Sequence, residues 1–477
     1  MSDATSLGTA VMRKKPVESF VVETGATTEG GELKRAFGVF QLTMFGVGAT
    51  IGTGIFIVLN TAVPTAGPGV VISFLIAGIT AALTALCYAE LASTIPVSGS
   101  SYSYTYATIG ELAAYGVGWC LLLEYAVSAG AIVVGWGQYL NEVFTDIFGF
   151  AMPDAISQPP GHGGVINIPA IVLVLLCVFL LIRGSRESAT VNTIMVLIKI
   201  GVLVLFIVIG ATAFNSANLA DFAPFGAAGI GAAASTIFFS FIGIDAVSTA
   251  GEEVHNPQRT LPRAIVFALL IVSSLYVLVS LVAVSAQPWQ QFEGQEAGLA
   301  DILRQITGAT WPSLVLSLGA VISLFSVTLV VLYGQTRILF AMARDGMLPE
   351  LFHKVDSRTL TPVRNTVIVG TFVALLGGFV PLDVLTNLTS MGTLVAFGVV
   401  SAAVIVLRYR RPDAPRGFKV PLFPVLPALS VLACLYLIFG LPWDTFLLFA
   451  VWLAIAFALY LVYGRYHSAL AQSKAEK

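Results

Sequence analysis

Charge is what this sequence has least of: Asp, Glu, Lys and Arg together make up 10% of its 477 residues. A water-soluble globule of that length carries about 25%. With 57% hydrophobic residues and a mean hydropathy of +0.90, the chain needs an apolar solvent, which excludes a soluble body and implies an integral membrane protein. Cysteine is also scarce. Cys87, Cys120, Cys177 and Cys434 all sit inside apolar runs without CxxC spacing, which excludes a disulfide framework and a thiolate metal site. His162, His255, His353 and His467 show no ligand spacing, so no metal is expected. No HExxH, GxSxG or lysine-bearing phosphate loop is present, which speaks against an enzyme, an ATP-driven pump and any cofactor. No basic cluster is interleaved with aromatic residues, so nucleic acid is not an expected partner.

What the chain does have is apolar length. The first hydrophobic run covers 37–64. Eleven more follow near 69–93, 111–140, 166–183, 189–213, 229–250, 262–285, 310–343, 364–381, 385–407, 422–440 and 443–464. Each is long enough for ~30 Å of hydrocarbon, so the expectation is an all-α membrane protein of twelve transmembrane helices. Residues 1–35 contain no apolar stretch, so the first run is read as a retained span rather than a cleaved signal. If residues 1–36 and 465–477 are cytoplasmic tails, 22 of the 24 Lys and Arg fall on the inner side and only Arg304 on the outer. Basic residues beside spans stay cytoplasmic, so both ends are expected inside a plasma membrane. The remaining base, Lys199, lies within the fifth run.

Within the first run, Gly46-Val47-Gly48-Ala49-Thr50-Ile51-Gly52-Thr53-Gly54 places four glycines in nine residues. Each glycine weakens a helix by roughly 1 kcal/mol relative to alanine, which predicts a helix broken midway along its span. Broken backbone is tolerated at membrane depth only where protein or a polar cavity receives it. Its second half-helix offers amide donors and a positive dipole end to a small anion. The competing reading is that Gly48 and Gly52 merely let a neighbouring helix approach. The sixth run repeats the pattern at Phe238-Phe239-Ser240-Phe241-Ile242-Gly243-Ile244-Asp245-Ala246. Two interrupted spans five apart predict two five-span units of opposite topology, 37–213 and 214–407, followed by two extra spans in 408–464. Embedded ionisable groups are functional candidates by default. Glu124 and Asp245 qualify, with an interhelical tether as the alternative for each; Glu90 is read as a helix-end group reaching the interface.

A wider set of residues carries a resemblance. The run Gly48 to Phe56, Cys87-Tyr88-Ala89-Glu90, Pro96-Val97-Ser98-Gly99-Ser100, the break at Ile242-Gly243-Ile244-Asp245 followed by Glu252-Glu253 and Asn256-Pro257, Tyr333-Gly334-Gln335-Thr336-Arg337 and Arg344-Asp345-Gly346 together resemble the amino acid–polyamine–organocation superfamily. The closer likeness is to bacterial members of its cationic amino acid transporter family. That resemblance implies a leucine-transporter-type 5+5 inverted repeat with broken spans 1 and 6, and alternating access at the site between them. It implies that the amides of Gly52, Thr53 and Gly54, with Thr50 in the same break, hold a substrate carboxylate. Carbonyls of Phe239, Ser240 and Ile242 would hold its ammonium, with Glu124 and Asp245 as further substrate contacts. Lys199 takes the place where sodium-coupled relatives bind a cation and implies proton coupling; the alternative is a fixed clamp on the carbonyls of the first break. The expected partners are an amino acid, protons and the lipid bilayer, with a small accessory membrane subunit left open. A secondary transporter leads; an exchanger or facilitator, a channel and a non-transporting amino-acid sensor are the alternatives. A channel would want a repeated pore-lining motif, and none is seen.

Overall fold

The computed structural model describes residues 13–15, 38–52, 54–95, 100–161, 163–183, 189–249, 254–356 and 361–471. Among these it is helical throughout, with no strand. The principal helices are α1 Val39–Thr50, α2 Leu59–Ala66, α3 Val70–Thr94, α4 Ser100–Thr108, α5 Glu111–Phe148, α6 Ile168–Ile182, α7 Ala189–Ala211, α8 Gly226–Ile237, α9 Ala246–Thr249, α10 Pro257–Ala286, α11 Gly298–Thr307, α12 Thr310–Arg344, α13 Val363–Phe379, α14 Leu382–Arg410, α15 Val425–Phe439 and α16 Trp443–Leu459. Eight segments are long and apolar enough to cross a membrane, and α1, α6, α13 and α15 are shorter apolar helices.

Local chemistry sets the helix ends. Asn167 accepts a hydrogen bond from the Ala170 amide at 3.0 Å and so caps α6, with Pro169 in its first turn, where proline's missing N–H costs nothing. Proline likewise opens α10 at Pro257. Gly149 and Gly308 end α5 and α11 in the left-handed conformation, φ +73° and +63°, which a residue without Cβ adopts freely.

α5 is the axis of the bundle, packed along its length against α12 and α14, while α3 packs on α10 and α1 lies between α7 and α10. The two interrupted helices lie side by side: α1 packs on α9, and α2 packs on α8. First half against second half means that the two run antiparallel. Large apolar side chains such as Leu175, Leu197, Val208, Leu432 and Phe439 project from the outer surface, as expected of faces that meet lipid. At one end of the bundle Arg13 pairs with Glu111 at 3.4 Å and Lys15 with Asp345 at 2.9 Å. Arg304, alone among bases in its part of the sequence, reaches Asp146 of α5 at 2.8 Å and also pairs with Glu142.

Glu90 departs from the sequence expectation. It lies one turn from the end of α3, but its carboxylate does not reach outward: it is fully buried, held by Arg408 (2.7 Å to Nε), by Arg416 (3.3 Å) and by the Val420 amide (2.7 Å). Two guanidinium groups and a backbone donor offset its desolvation, so it pins the segment after α14 onto α3. Its position near the end of an apolar run could not reveal partners more than 300 residues away.

Candidate crossing of two broken helices

α1 stops at Thr50. Its last intrahelical bond runs from the Ile51 amide to the Val47 carbonyl at 2.8 Å, after which Ile51 is extended and Gly52 takes φ +122°. The chain turns again at Gly54, whose carbonyl accepts from the amides of Ile57 (2.9 Å) and Val58 (2.7 Å), and α2 begins at Leu59. A helix that ends here leaves carbonyls without intrahelical partners. Side chains from two other helices take two of them, and a third helix holds a carbonyl just beyond the break. Lys199 Nζ of α7 donates to the Gly48 carbonyl at 2.8 Å, and the Tyr276 hydroxyl of α10 donates to the Thr50 carbonyl at 2.9 Å. The Tyr139 hydroxyl of α5 donates to Phe56 at 2.9 Å, with the two rings edge to face. Thr50 Oγ1 turns back to the Gly46 carbonyl at 2.9 Å. Thr53 lies outside the described residues, as do Pro96 to Gly99 and Glu252-Glu253.

The four glycines divide into two jobs. Gly46 and Gly48 lie inside α1, where an added Cβ would come within 2.6 Å of Val247 and of Val196 respectively, so they serve close helix packing. Gly52 and Gly54 lie in the break. A Cβ on Gly52 would stand 2.7 Å from Ser323 Oγ, and one on Gly54 would run into the Ser240 backbone and side chain. The packing and the broken-helix readings of this stretch both hold, at different glycines.

The second break is built otherwise. A 3-10 turn, Phe238–Phe241, follows α8; Ile242 is extended; Gly243 takes φ +97°; and α9 starts at Ala246. An added Cβ on Gly243 would lie 2.6 Å from the Ala49 carbonyl. Gly54 against Ser240 and Gly243 against Ala49 therefore mark a crossing at which each break touches the other through a residue with no side chain. Phe239, Ser240 and Ile242 are all buried here. Phe241 packs edge to face on Tyr276, the residue that caps the first break, with centroids 5.5 Å apart.

Around the second break, polar atoms are left without partners: Ser240 Oγ, Asp245 Oδ1 and both carboxylate oxygens of Glu124. The Tyr125 hydroxyl donates to Asp245 Oδ2 at 3.2 Å, and backbone donors of the same turn, Ala246 among them, also face this carboxylate. Glu124 is fully buried on α5, with the Thr393 side chain of α14 beside its carboxylate. The structure thus brings Thr50, Gly52, Gly54, Phe239, Ser240, Ile242 and Lys199 to one crossing. Asp245 follows directly in the second break, and Glu124 lies within its electrostatic reach. Sequence reasoning missed Tyr139, Tyr276 and Tyr125. The available signal was a tyrosine in the middle of an apolar span, whose hydroxyl must find a partner when buried.

An all-helical, multi-pass membrane protein whose two interrupted helices cross at a polar point is built as a membrane permease. The sequence profile of the family described as "Amino acid permease" matches residues 37–465, and the chain belongs to that family, within the amino acid–polyamine–organocation superfamily. It is similar to the branched-chain amino acid permease BcaP of Bacillus subtilis (strain 168), with 45% identity across 97% of this chain and 99% of the relative. It is 42% identical to the methylthioribose transporter of the same organism over the same shares. The vacuolar cationic amino acid transporter 2 of Arabidopsis thaliana is 39% identical over 85% of this chain and 64% of its own, longer length. These relatives are transporters, and the chain is a transporter rather than an enzyme.

Proposed function

We propose that the protein is a secondary active permease that carries α-amino acids across the plasma membrane by alternating access, coupled to protons. The observation that carries the reading is the crossing itself. A zwitterion needs donors at one end and acceptors at the other. The first break gives carbonyls to Lys199, Tyr276 and Tyr139, and in this reading its amides around Gly52 and Gly54 meet a carboxylate. The second break presents carbonyls of Phe239, Ser240 and Ile242 to an ammonium group. Because the backbone supplies both ends, the side-chain end of the substrate is free to vary, which fits relatives named for branched-chain and cationic amino acids.

The eight long and four shorter apolar helices, with the antiparallel pairing of α1–α2 and α8–α9, support twelve spans in a 5+5 inverted repeat: 37–213, 214–407, and two further spans in 408–464. The basic-residue asymmetry supports cytoplasmic tails at 1–36 and 465–477. Lys199 is both clamp and titrating group in this reading: its amine holds the Gly48 carbonyl, and a proton lost from it would loosen α1 at the break.

Counterflow in proteoliposomes with a panel of amino acids tests this. Exchange of labelled leucine or lysine against the internal unlabelled amino acid supports the reading. Uptake that ignores both a pH gradient and a proton ionophore would make the protein an exchanger or facilitator, and binding without counterflow would make it a sensor.

A further inference from the structure

α4 is a nine-residue helix rich in hydroxyls, Ser100-Ser101-Tyr102-Ser103-Tyr104-Thr105-Tyr106-Ala107-Thr108, and all of it but Ala107 is buried. It packs on α5 and α14 and touches α9, the half-helix that follows the second break. Its two faces are finished differently. On one, Tyr102 donates to Asp345 at 2.9 Å and Tyr106 to Glu111 at 3.2 Å, carboxylates that also pair with Lys15 and Arg13. On the other, Ser101, Tyr104 and Thr105 take the i, i+3, i+4 positions that share one side of a helix. Tyr88 of α3 joins them, its ring centroid 6.3 Å from that of Tyr104. Ser101 stands beside the Tyr88 hydroxyl and Ser248 of α9 beside that of Tyr104. Neither contact closes to hydrogen-bond geometry, and the hydroxyls of Tyr88, Ser101, Tyr104 and Thr105 have no partner among the described residues, although these residues are 2% exposed or less. Ser248 ties this face to the second break: its hydroxyl donates to the Asp245 carbonyl at 2.6 Å and lies 3.5 Å from Ser100 Oγ.

A buried hydroxyl without a partner costs about 1–3 kcal/mol. Four on one patch are more than packing alone explains, since buried polar groups are otherwise almost always paired. The four hydroxyls carry no charge, so they offer a metal no anionic ligand and an isolated ion no counter-charge. Each is both donor and acceptor. A zwitterion suits such a patch, because its carboxylate accepts from hydroxyls and its ammonium donates to them. α4 itself is pinned through Tyr102 to the end of α12 and through Tyr106 to the start of α5. α9 is four residues long and hangs from the second break, where Gly243 at φ +97° supplies a pivot. Movement of α9 therefore uncovers the patch while α4 stays in place.

Building on the amino-acid reading above, we infer that Tyr88, Ser101, Tyr104 and Thr105 form a second, inner subsite for the zwitterion, closed in this structure and uncovered when α9 leaves α4. An amino acid released from the crossing passes Ser248 and exchanges the backbone donors and acceptors of the two breaks for these hydroxyls before it reaches the cytoplasm. The subsite has no charge of its own, so it holds its ligand weakly and lets it go.

The test is chemical access from each side of the membrane. Ser101→Cys and Thr105→Cys, made separately in the full-length protein, are reacted with a membrane-impermeant methanethiosulfonate in proteoliposomes of known orientation. Modification is read by peptide mass spectrometry, which separates the introduced thiol from the buried native cysteines. The probe ligand is the amino acid that gives the strongest counterflow. Modification is expected from the cytoplasmic side and not from the outside. The amino acid on the cytoplasmic side should slow it several-fold, and the protection should persist on ice, where alternation stops. Tyr104→Phe should raise the half-saturating internal concentration for efflux several-fold and leave that for uptake from outside unchanged. Tyr102→Phe, which takes a donor from Asp345, should lower Tm instead. Modification without protection would make this face a wetted wall and overturn the inference, as would two folded cysteine variants that resist modification from the inside. If neither cysteine variant folds, the Tyr104→Phe split decides: equal effects on efflux and uptake, or none on either, overturn the inference. If no amino acid in the panel gives counterflow, the amino-acid reading itself fails, an outcome distinct from all of these.

Discussion

The two breaks share a geometry and differ in how they are finished. In the first, the carbonyls of Gly48, Thr50 and Phe56 are each taken by a side chain from a different helix. In the second, Ser240 Oγ and Asp245 Oδ1 have no side-chain or backbone partner among the described residues. A buried polar group without a partner costs about 1–3 kcal/mol, so a fold keeps such groups only where something else is to use them. The contrast teaches that the first break is framework, completed within the protein and holding its amides in place. In the proposed reading, the second is the half left for ligand to complete.

The sharpest way to break that contrast is to block the contact between the two halves. Gly54→Val places two methyl groups where Ser240 already stands. Uptake should fall roughly 100-fold or more, equivalent to about 3 kcal/mol, measured at matched expression; normal uptake would show that the halves need not meet. Lys199→Ala comes next. It strips the Gly48 carbonyl of its donor, with an expected loss of about 1–3 kcal/mol in stability and loss of the stimulation of uptake by an acidic exterior. If proton-driven uptake survives in this variant, coupling resides elsewhere. Tyr276→Phe is smaller: it keeps the ring that packs on Phe241 and Phe74 but removes the donor to Thr50. A drop of about 1 kcal/mol in unfolding free energy is expected, and an unchanged Tm would mean that the first break does not depend on its caps.

Much of this was legible in the residues. Four glycines in nine, and a glycine two residues ahead of an embedded acid, announced both breaks because glycine is what lets backbone leave a helix and approach backbone closely. Lys199 stood out as an embedded base, and the structure shows what it holds. The exact start of the first break was not legible, since Gly46 and Gly48 weaken a helix just as Gly52 and Gly54 do; only the neighbours Val247 and Val196 reveal that they serve packing. The partners of the capping tyrosines were not legible for a similar reason. Tyr139 lies 83 residues from Phe56, and Tyr276 lies 226 from Thr50, pairings that no local pattern encodes. Glu90 shows the same limit, its charge partners lying more than 300 residues further on.

The smallest expected effect gives the most direct test of the contrast. Ser240→Ala removes a hydroxyl that has no partner in the protein, whereas Tyr276→Phe removes one that does. Thermal unfolding of both variants is measured with and without a saturating amino acid found by counterflow. Ser240→Ala should leave the unliganded Tm within a degree or so of wild type and shrink the increase that the amino acid produces. Tyr276→Phe should lower Tm with and without ligand by similar amounts. If instead Ser240→Ala lowers the unliganded Tm while leaving the ligand-induced increase intact, the second break is framework like the first, and the division between a finished half and an open half is wrong.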